Sequence, residues 1–228
     1  MFFQMIYYTI FEYCKTLIKL FIKRGVRKSY GQFGEDALIQ ALLKNTKTGI
    51  YCDVGAYHPV LYSNTYGLYK RGWRGIVIDP NNSFSLLYKL LRPRDKFINL
   101  AVGKEAKSIY YIFSDPAYNT LNEKEAEKTR ALSHVFLLSK KEVKVRPLHE
   151  ILKKNNISAI DFLNIDVEGN DLEVLQSYDW SIRPRVIAVE DENFNPDNPE
   201  KSLIYKFLRS KDYILKGMCG ITLIWKSE

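Results

Sequence analysis

A chain of 228 residues, 46% of them hydrophobic, can bury a core of its own without disulfides or metals. Twelve glycines and eight prolines exclude a disordered or fibrous composition. Three cysteines (Cys14, Cys52, Cys219) without CxxC or Cys/His spacing exclude a disulfide framework and a zinc cluster, and point to a reducing, cytoplasmic setting, while the net charge of +8 comes with no RNA-recognition or zinc-finger signature, so no nucleic-acid partner is expected.

Residues 1–28 are predicted to form an amphipathic basic helix. Phe2, Phe3, Ile6, Tyr7, Ile10, Phe11, Leu17, Ile18 and Phe21 are apolar, and Gln4, Tyr8, Glu12, Lys15, Lys19 and Lys23 recur at a helical spacing on one face. Six cations (Lys15, Lys19, Lys23, Arg24, Arg27, Lys28) follow the apolar run instead of preceding it, so it does not read as a secretory signal. Glu12, Lys15 and Lys19 interrupt it too early for a spanning helix. Two readings stay open: packing on the catalytic domain or on a second subunit of a homo-oligomer, or peripheral contact with the inner face of the membrane.

Residues 29–228 read as one domain in which short β-rich runs alternate with helical stretches. Ile50–Val54 is a predicted buried strand, Ser63–Lys70 a helix, Gly75–Ile78 a strand, Ser83–Leu91 a helix and Phe97–Val102 a third strand. An irregular middle, about 114–146, reads as an insertion or lid, with Ser108–Phe113 and Glu142–Arg146 as strands and Asn122–Arg130 as a helix. Leu148–Asn155, Ala159–Ile165, Asp171–Ser177 and Arg185–Glu190 restore the alternation. A helix at Ser202–Arg209 and strands at Tyr213–Lys216 and Ile221–Trp225 follow, with Gly217 and Gly220 punctuating the hairpin. Such alternation predicts an α/β fold with a doubly wound, mostly parallel sheet.

Four strand ends carry the polar residues of interest. Asp53-Val-Gly-Ala56 closes the first strand, where open α/β sheets bind ligands, and Gly55 would let a ligand approach the backbone. The turn lacks the closely spaced glycines that cradle phosphates, which argues against a dinucleotide or ATP and disfavours an NAD-dependent oxidoreductase. Asp79, 24 residues beyond Gly55, stands where an acid binds ribose hydroxyls; the alternative is a turn aspartate before Pro80. Asp166 and Glu168 end another buried run, and Glu190 ends the next. Carboxylates from adjacent strand ends suit Mg²⁺, for which Asp166 and Glu190 are the candidate ligands. Alternatively Asp166 or Glu168 is a general base. Asn170 or Asp171 would cap the following helix. His58 is either a base beside the bound cofactor or a residue that fixes its own loop by hydrogen bonding.

These segments together resemble the FkbM family of S-adenosylmethionine-dependent methyltransferases. The carriers are Ser29-Tyr-Gly-Gln-Phe-Gly-Glu-Asp36, Asp53-Val-Gly-Ala-Tyr-His-Pro59, Ser63-Asn-Thr65, Gly72-Trp-Arg-Gly75, Ile78-Asp-Pro-Asn81, Leu100-Ala-Val-Gly103 and Asn164-Ile-Asp-Val-Glu-Gly169. The resemblance implies a class I (Rossmann-like) fold whose seven-stranded sheet has its last strand antiparallel, and O-methylation, commonly of a sugar hydroxyl in a surface glycan or glycoconjugate. It places Asp53, Gly55 and Ala56 at the methionine part of S-adenosylmethionine, Asp79 at the ribose, and Asn81, Ala101 and Val102 near the adenine. Gln32 and Glu35 belong to a segment that covers the cofactor, and Ser63 and Asn64 join the cofactor-binding set. Leu148-His149-Glu150 departs from the Leu-Asp-Asp-like run of many members. A reading from another class is a non-catalytic protein that keeps the fold to bind partners or membrane.

Overall fold

The computed structural model describes residues 28–104 and 106–228, so the predicted N-terminal helix lies outside the described residues. Helix α1 (Glu35–Leu42) leads into β1 (Ile50–Val54), α2 (Tyr66–Lys70), β2 (Arg74–Ile78), α3 (Ser85–Leu91) and β3 (Lys96–Ile98). Then come β4 (Ala101–Val102), β5 (Lys107–Phe113), α4 (Glu123–Arg130) and β6 (Leu137–Arg146). The chain continues through α5 (Leu148–Lys154), β7 (Phe162–Ile165), α6 (Asp171–Gln176), β8 (Val186–Glu190), α7 (Leu203–Arg209), β9 (Tyr213–Cys219) and β10 (Thr222–Ser227). Seven strands form one sheet in the order β3-β2-β1-β7-β8-β10-β9, and β10 runs antiparallel to both its neighbours. This is the predicted class I arrangement. Among the described residues no helix is long and apolar enough to cross a membrane.

Strand parity explains why both faces of the sheet are covered. Alternate side chains point to opposite faces, so Cys52, Val54, Ile76 and Ile78 pack with Leu148, Ile151, Leu152, Val174, Leu175, Ile204 and Leu208 of α5, α6 and α7. Tyr51, Val77, Phe162 and Val186 pack with Ile39, Leu68, Tyr69 and Tyr88 of α1, α2 and α3. Asp53 and Asn164 share the parity of Tyr51 and Phe162 and are register partners in adjacent parallel strands. Both are therefore on the α2–α3 side, buried beside one another.

The middle of the chain differs from expectation. The predicted third strand, 97–102, is two strands: β3 pairs with β2, while β4 pairs with β6 in a separate three-stranded sheet completed by β5. Asn99 lies at the break, and its Nδ2 donates to the carbonyls of Asp79 and Pro80 instead of extending a ladder. β6 is also twice the predicted length, because β5 pairs with it along its whole run. Of the two punctuating glycines, Gly220 makes the hairpin turn at φ 57°, whereas Gly217 sits within β9 opposite Ile224.

Candidate functional site

The strand order reverses between β1 and β7, and a cleft partly open to solvent lies at the carboxyl ends of β1, β2 and β7. Among the predicted site residues, Gln32, Asp53, Gly55, Ala56, Ser63, Asn64, Asp79, Ala101, Val102, Asp166 and Glu168 line it. Glu35, His58, Asn81 and Glu190 do not.

Asp53 orders one wall. Its Oδ1 accepts from Asn164 Nδ2 at 2.9 Å and its Oδ2 from the Thr65 hydroxyl at 2.6 Å. A carboxylate only accepts, so Asn164 must turn its NH₂ to Asp53 and offer its Oδ1 elsewhere. That oxygen accepts from Asn64 Nδ2 at 3.1 Å, which leaves Asn64 Oδ1, in the cleft lining, without a hydrogen-bond partner. Beneath this wall lies Arg92, which the sequence did not single out. It is fully buried and paired with the equally buried Asp95 at 2.6 Å. Its guanidinium also donates to Tyr51 Oη, Thr65 Oγ1, Ser63 Oγ and the Pro59 carbonyl. Burial pushes the Asp53 carboxyl up, and the Arg92 charge opposes that shift.

Gly55 has a different reason from the expected one. A Cβ there would lie 1.6 Å from the Asp166 carbonyl oxygen, and its φ is 78°. The missing side chain makes room for the neighbouring strand's own backbone. Directly after it, Tyr57 holds a left-handed φ of 41° and donates its N–H to Asp79 Oδ2 at 2.9 Å. Asn81 N–H donates to Asp79 Oδ1 at 2.7 Å. Asp79 is thereby fixed with one lone pair spare on each oxygen, and burial raises its pKa to about 6. Asn81 acts through these contacts, capping the next turn by accepting from Ser83 N–H. Glu35 accepts from the Phe33 N–H, and Asp36 holds Ser29 and Tyr30, so this pair anchors the 29–34 segment that brings Gln32 to the cleft.

His58 makes the contacts of the second of its two readings, that of a residue fixing its own loop. Its Nδ1 accepts from the N–H groups of Val60 and Leu61 at 3.1 and 3.0 Å. The neutral imidazole then carries its proton on Nε2, which leaves no free basic nitrogen, and burial lowers its pKa further. His149 Nδ1 meets the Ser177 carbonyl, and exposed His134 lies edge-on to Tyr118. The two residues predicted to cap α6 behave differently from that expectation. Asn170 makes no capping bond, and Asp171 accepts from Val167 and Gly169 N–H, bracing the 166–169 turn.

That turn carries an acidic cluster. Asp166, Glu168 and Glu190 bring one carboxylate oxygen each within 4.8 Å of one another. Burial and mutual repulsion push Asp166 well up, Glu168 to about 9 and Glu190 to about 8. Glu168 holds φ 55°, a conformation that side-chain-bearing residues avoid. Tyr57 and Tyr62 (φ 55°) share it and also line the cleft, so backbone strain collects there. Asp191 and Glu192 stay outside: Asp191 accepts from Ser202, and Glu192 meets Lys128 across exposed surface.

Tyr110 of β5, with Pro116, Asn119, Thr120 and Leu121 of the segment between β5 and β6, supplies the facing wall, and the sequence singled out none of them. Thr120 Oγ1 donates to the Glu168 carbonyl at 2.7 Å, and Asn122 Nδ2 to the Gly169 carbonyl at 2.9 Å, stitching this wall to the acidic turn.

A family model described as the methyltransferase FkbM domain matches residues 53–215, well over half of the chain. No curated protein matches the chain significantly.

Proposed function

The chain belongs to the FkbM methyltransferase family, and from that premise we propose that it is an S-adenosylmethionine-dependent O-methyltransferase acting on a sugar hydroxyl of a surface glycan or glycoconjugate. The carrying observation is the polarity of the cleft. Asn64 Oδ1 is a buried acceptor without a partner, fit for an ammonium group, and Asp79 keeps spare lone pairs for ribose hydroxyls. No glycine-rich turn cradles phosphate, which favours an amino-acid nucleoside over a dinucleotide.

S-adenosylmethionine, when bound, supplies a methyl group on a sulfonium. The protein's residues have two tasks: to align the reactants, which can lower a barrier by ~7–11 kcal/mol, and to take the proton of the acceptor hydroxyl. Glu168 and Asp166 are the bases in this reading, acting once ionised. A divalent cation such as Mg²⁺, bound by Asp166 and Glu190 with Glu168, would keep all three ionised; three hard carboxylate oxygens form a fitting donor set. At the cleft mouth Tyr62, 61% exposed and stacked on Tyr57, offers a flat apolar face of the kind sugar rings pack on. We assign residues 29–228 to the methyltransferase domain with 114–146 as its lid, and residues 1–28 to peripheral contact with the inner membrane face or with a second copy.

Calorimetry with S-adenosylmethionine, its demethylated product S-adenosylhomocysteine and NAD tests the donor. Binding of the two methionine nucleosides and not of NAD is expected; binding of neither would sink the proposal. Transfer of labelled methyl groups to a panel of sugar nucleotides and isolated glycans tests the acceptor, with an alkali-stable ether as the expected product.

A further inference from the structure

Asn119 holds a buried amide whose orientation is not a free choice. Its Oδ1 accepts the Phe113 N–H at 2.7 Å, and a backbone N–H can only donate, so the NH₂ group faces the other way. Asn119 is 7% exposed and lines the cleft, yet its Nδ2 has no hydrogen-bond partner; the Tyr110 hydroxyl lies near it without meeting it in good geometry. A buried donor left unmade costs about 1–3 kcal/mol. Two bonds on the next residues hold the segment in place: Thr120 N–H to the Tyr111 carbonyl and Thr120 Oγ1 to the Glu168 carbonyl. The donor is therefore presented on a fixed wall.

Its neighbours say which part of a ligand it meets. Leu100, Ala101, Val102, Leu121 and Pro80 give the same cleft an apolar lining suited to a flat ring. Tyr110, Asn119 and Asp79, the acid assigned to the ribose, line this cleft together.

We propose that Asn119 is a specificity-determining residue of the nucleoside subsite, its Nδ2 donating to a ring nitrogen or ribose oxygen of the adenosine half of the methyl donor. The inference rests on the methyltransferase reading above and adds to it a residue of the β5–β6 segment. A ligand that presents a donor at this point, in place of an acceptor, would be rejected, because two donors would face one another in a dry site.

The test is titration calorimetry with S-adenosylhomocysteine and with adenosine on the full-length protein, Asn119→Ala and Asn119→Asp. Asn119→Asp keeps an oxygen for the Phe113 N–H, so it preserves the wall if the alanine variant does not fold; ligand-free melting temperatures check this. Affinity for both probes should fall roughly 3- to 10-fold in Asn119→Ala, the worth of one neutral hydrogen bond. It should fall further in Asn119→Asp, where an anion replaces the donor. Binding within twofold of wild type in both variants overturns the inference and leaves the donor assignment intact. A loss confined to S-adenosylhomocysteine, with adenosine unaffected, also overturns it, since the contact would then be on the amino-acid half. A wild-type protein that binds neither probe overturns both readings together.

Discussion

Arg92→Met should be strongly destabilising although Arg92 is no part of the apolar core. It removes one member of a fully buried ion pair and leaves Asp95 with only the Tyr51 hydroxyl and the Gly75 N–H as partners. Breaking a buried pair from one side costs ~3–5 kcal/mol, a large share of the ~5–15 kcal/mol that holds a domain folded. With ~2–4 °C lost per kcal/mol in a domain of this size, the melting temperature should fall by ~6–20 °C. The deficit has a pH sign. Burial already raises the Asp95 pKa against the pull of Arg92, and without that pull it rises further. A carboxyl whose folded pKa exceeds its unfolded value binds more protons when folded, so its stability contribution is present at low pH and lost as pH rises through the folded pKa. Arg92→Met should therefore be nearer wild type at pH 5 than at pH 8. Adding Asp95→Asn should recover much of the loss and flatten that slope. Urea denaturation followed by circular dichroism at the two pH values measures both effects. A loss below about 1 kcal/mol, or a double variant weaker than Arg92→Met at both pH values, would refute the buried-pair argument.

Gly55→Ala should abolish folding or expel the 166–169 turn, because the new methyl would overlap the Asp166 carbonyl; a soluble variant with wild-type melting temperature would contradict this. In chelator, stability should decline as pH rises from 7 to 9, since Glu190 (about 8) and Glu168 (about 9) must then ionise while buried together, and Glu168→Gln should flatten the decline in thermal melts. Added Mg²⁺ should raise the melting temperature most at the alkaline end, and exhaustive EDTA should lower turnover; undiminished turnover rules out a required cation. His58→Asn, whose Oδ1 can take the two loop N–H groups, should retain binding of S-adenosylhomocysteine and methyl transfer, whereas a collapse of turnover with binding intact would restore His58 as a base.

The parallel sheet was legible because its central strands are short apolar runs punctuated by glycine and proline, a pattern with few alternative uses. Ile50–Val54 has its predicted bounds, and Val186–Glu190 starts one residue late. The break at Asn99 was not legible, because Phe97–Val102 reads as one continuous run and only the competing partners β2 and β6 divide it. β6 was read short for a related reason: in Leu137–Arg146 all residues but Val145 are fully or half exposed on a charged ribbon, and pairing with β5, not burial, keeps it extended. At the site, acids at strand ends could be placed because the fold class fixes where strand ends go. Arg92 could not, since an arginine after Leu90-Leu91 looks like an ordinary helix-terminal cation until three tyrosine rings and a carboxylate close around it.

The residues whose contacts go beyond those expected of them say most about how this fold makes a site. Gly55 was read as space for a ligand, yet it is space for the β7 backbone, and that close packing brings the Asp166–Glu168 turn against the end of β1. Asn64 and Asn164 belonged to separate motifs a hundred residues apart, and the anion of Asp53 makes them one device. It sets the direction of Asn164, which sets the direction of Asn64, so a charge buried beneath the wall decides that the wall offers the cleft an acceptor. Opposite, the Phe113 N–H makes Asn119 offer a donor by the same logic. A cleft whose two unpaired amides are locked in opposite senses discriminates against a ligand entering end for end, and it does so without any charge of its own at either position.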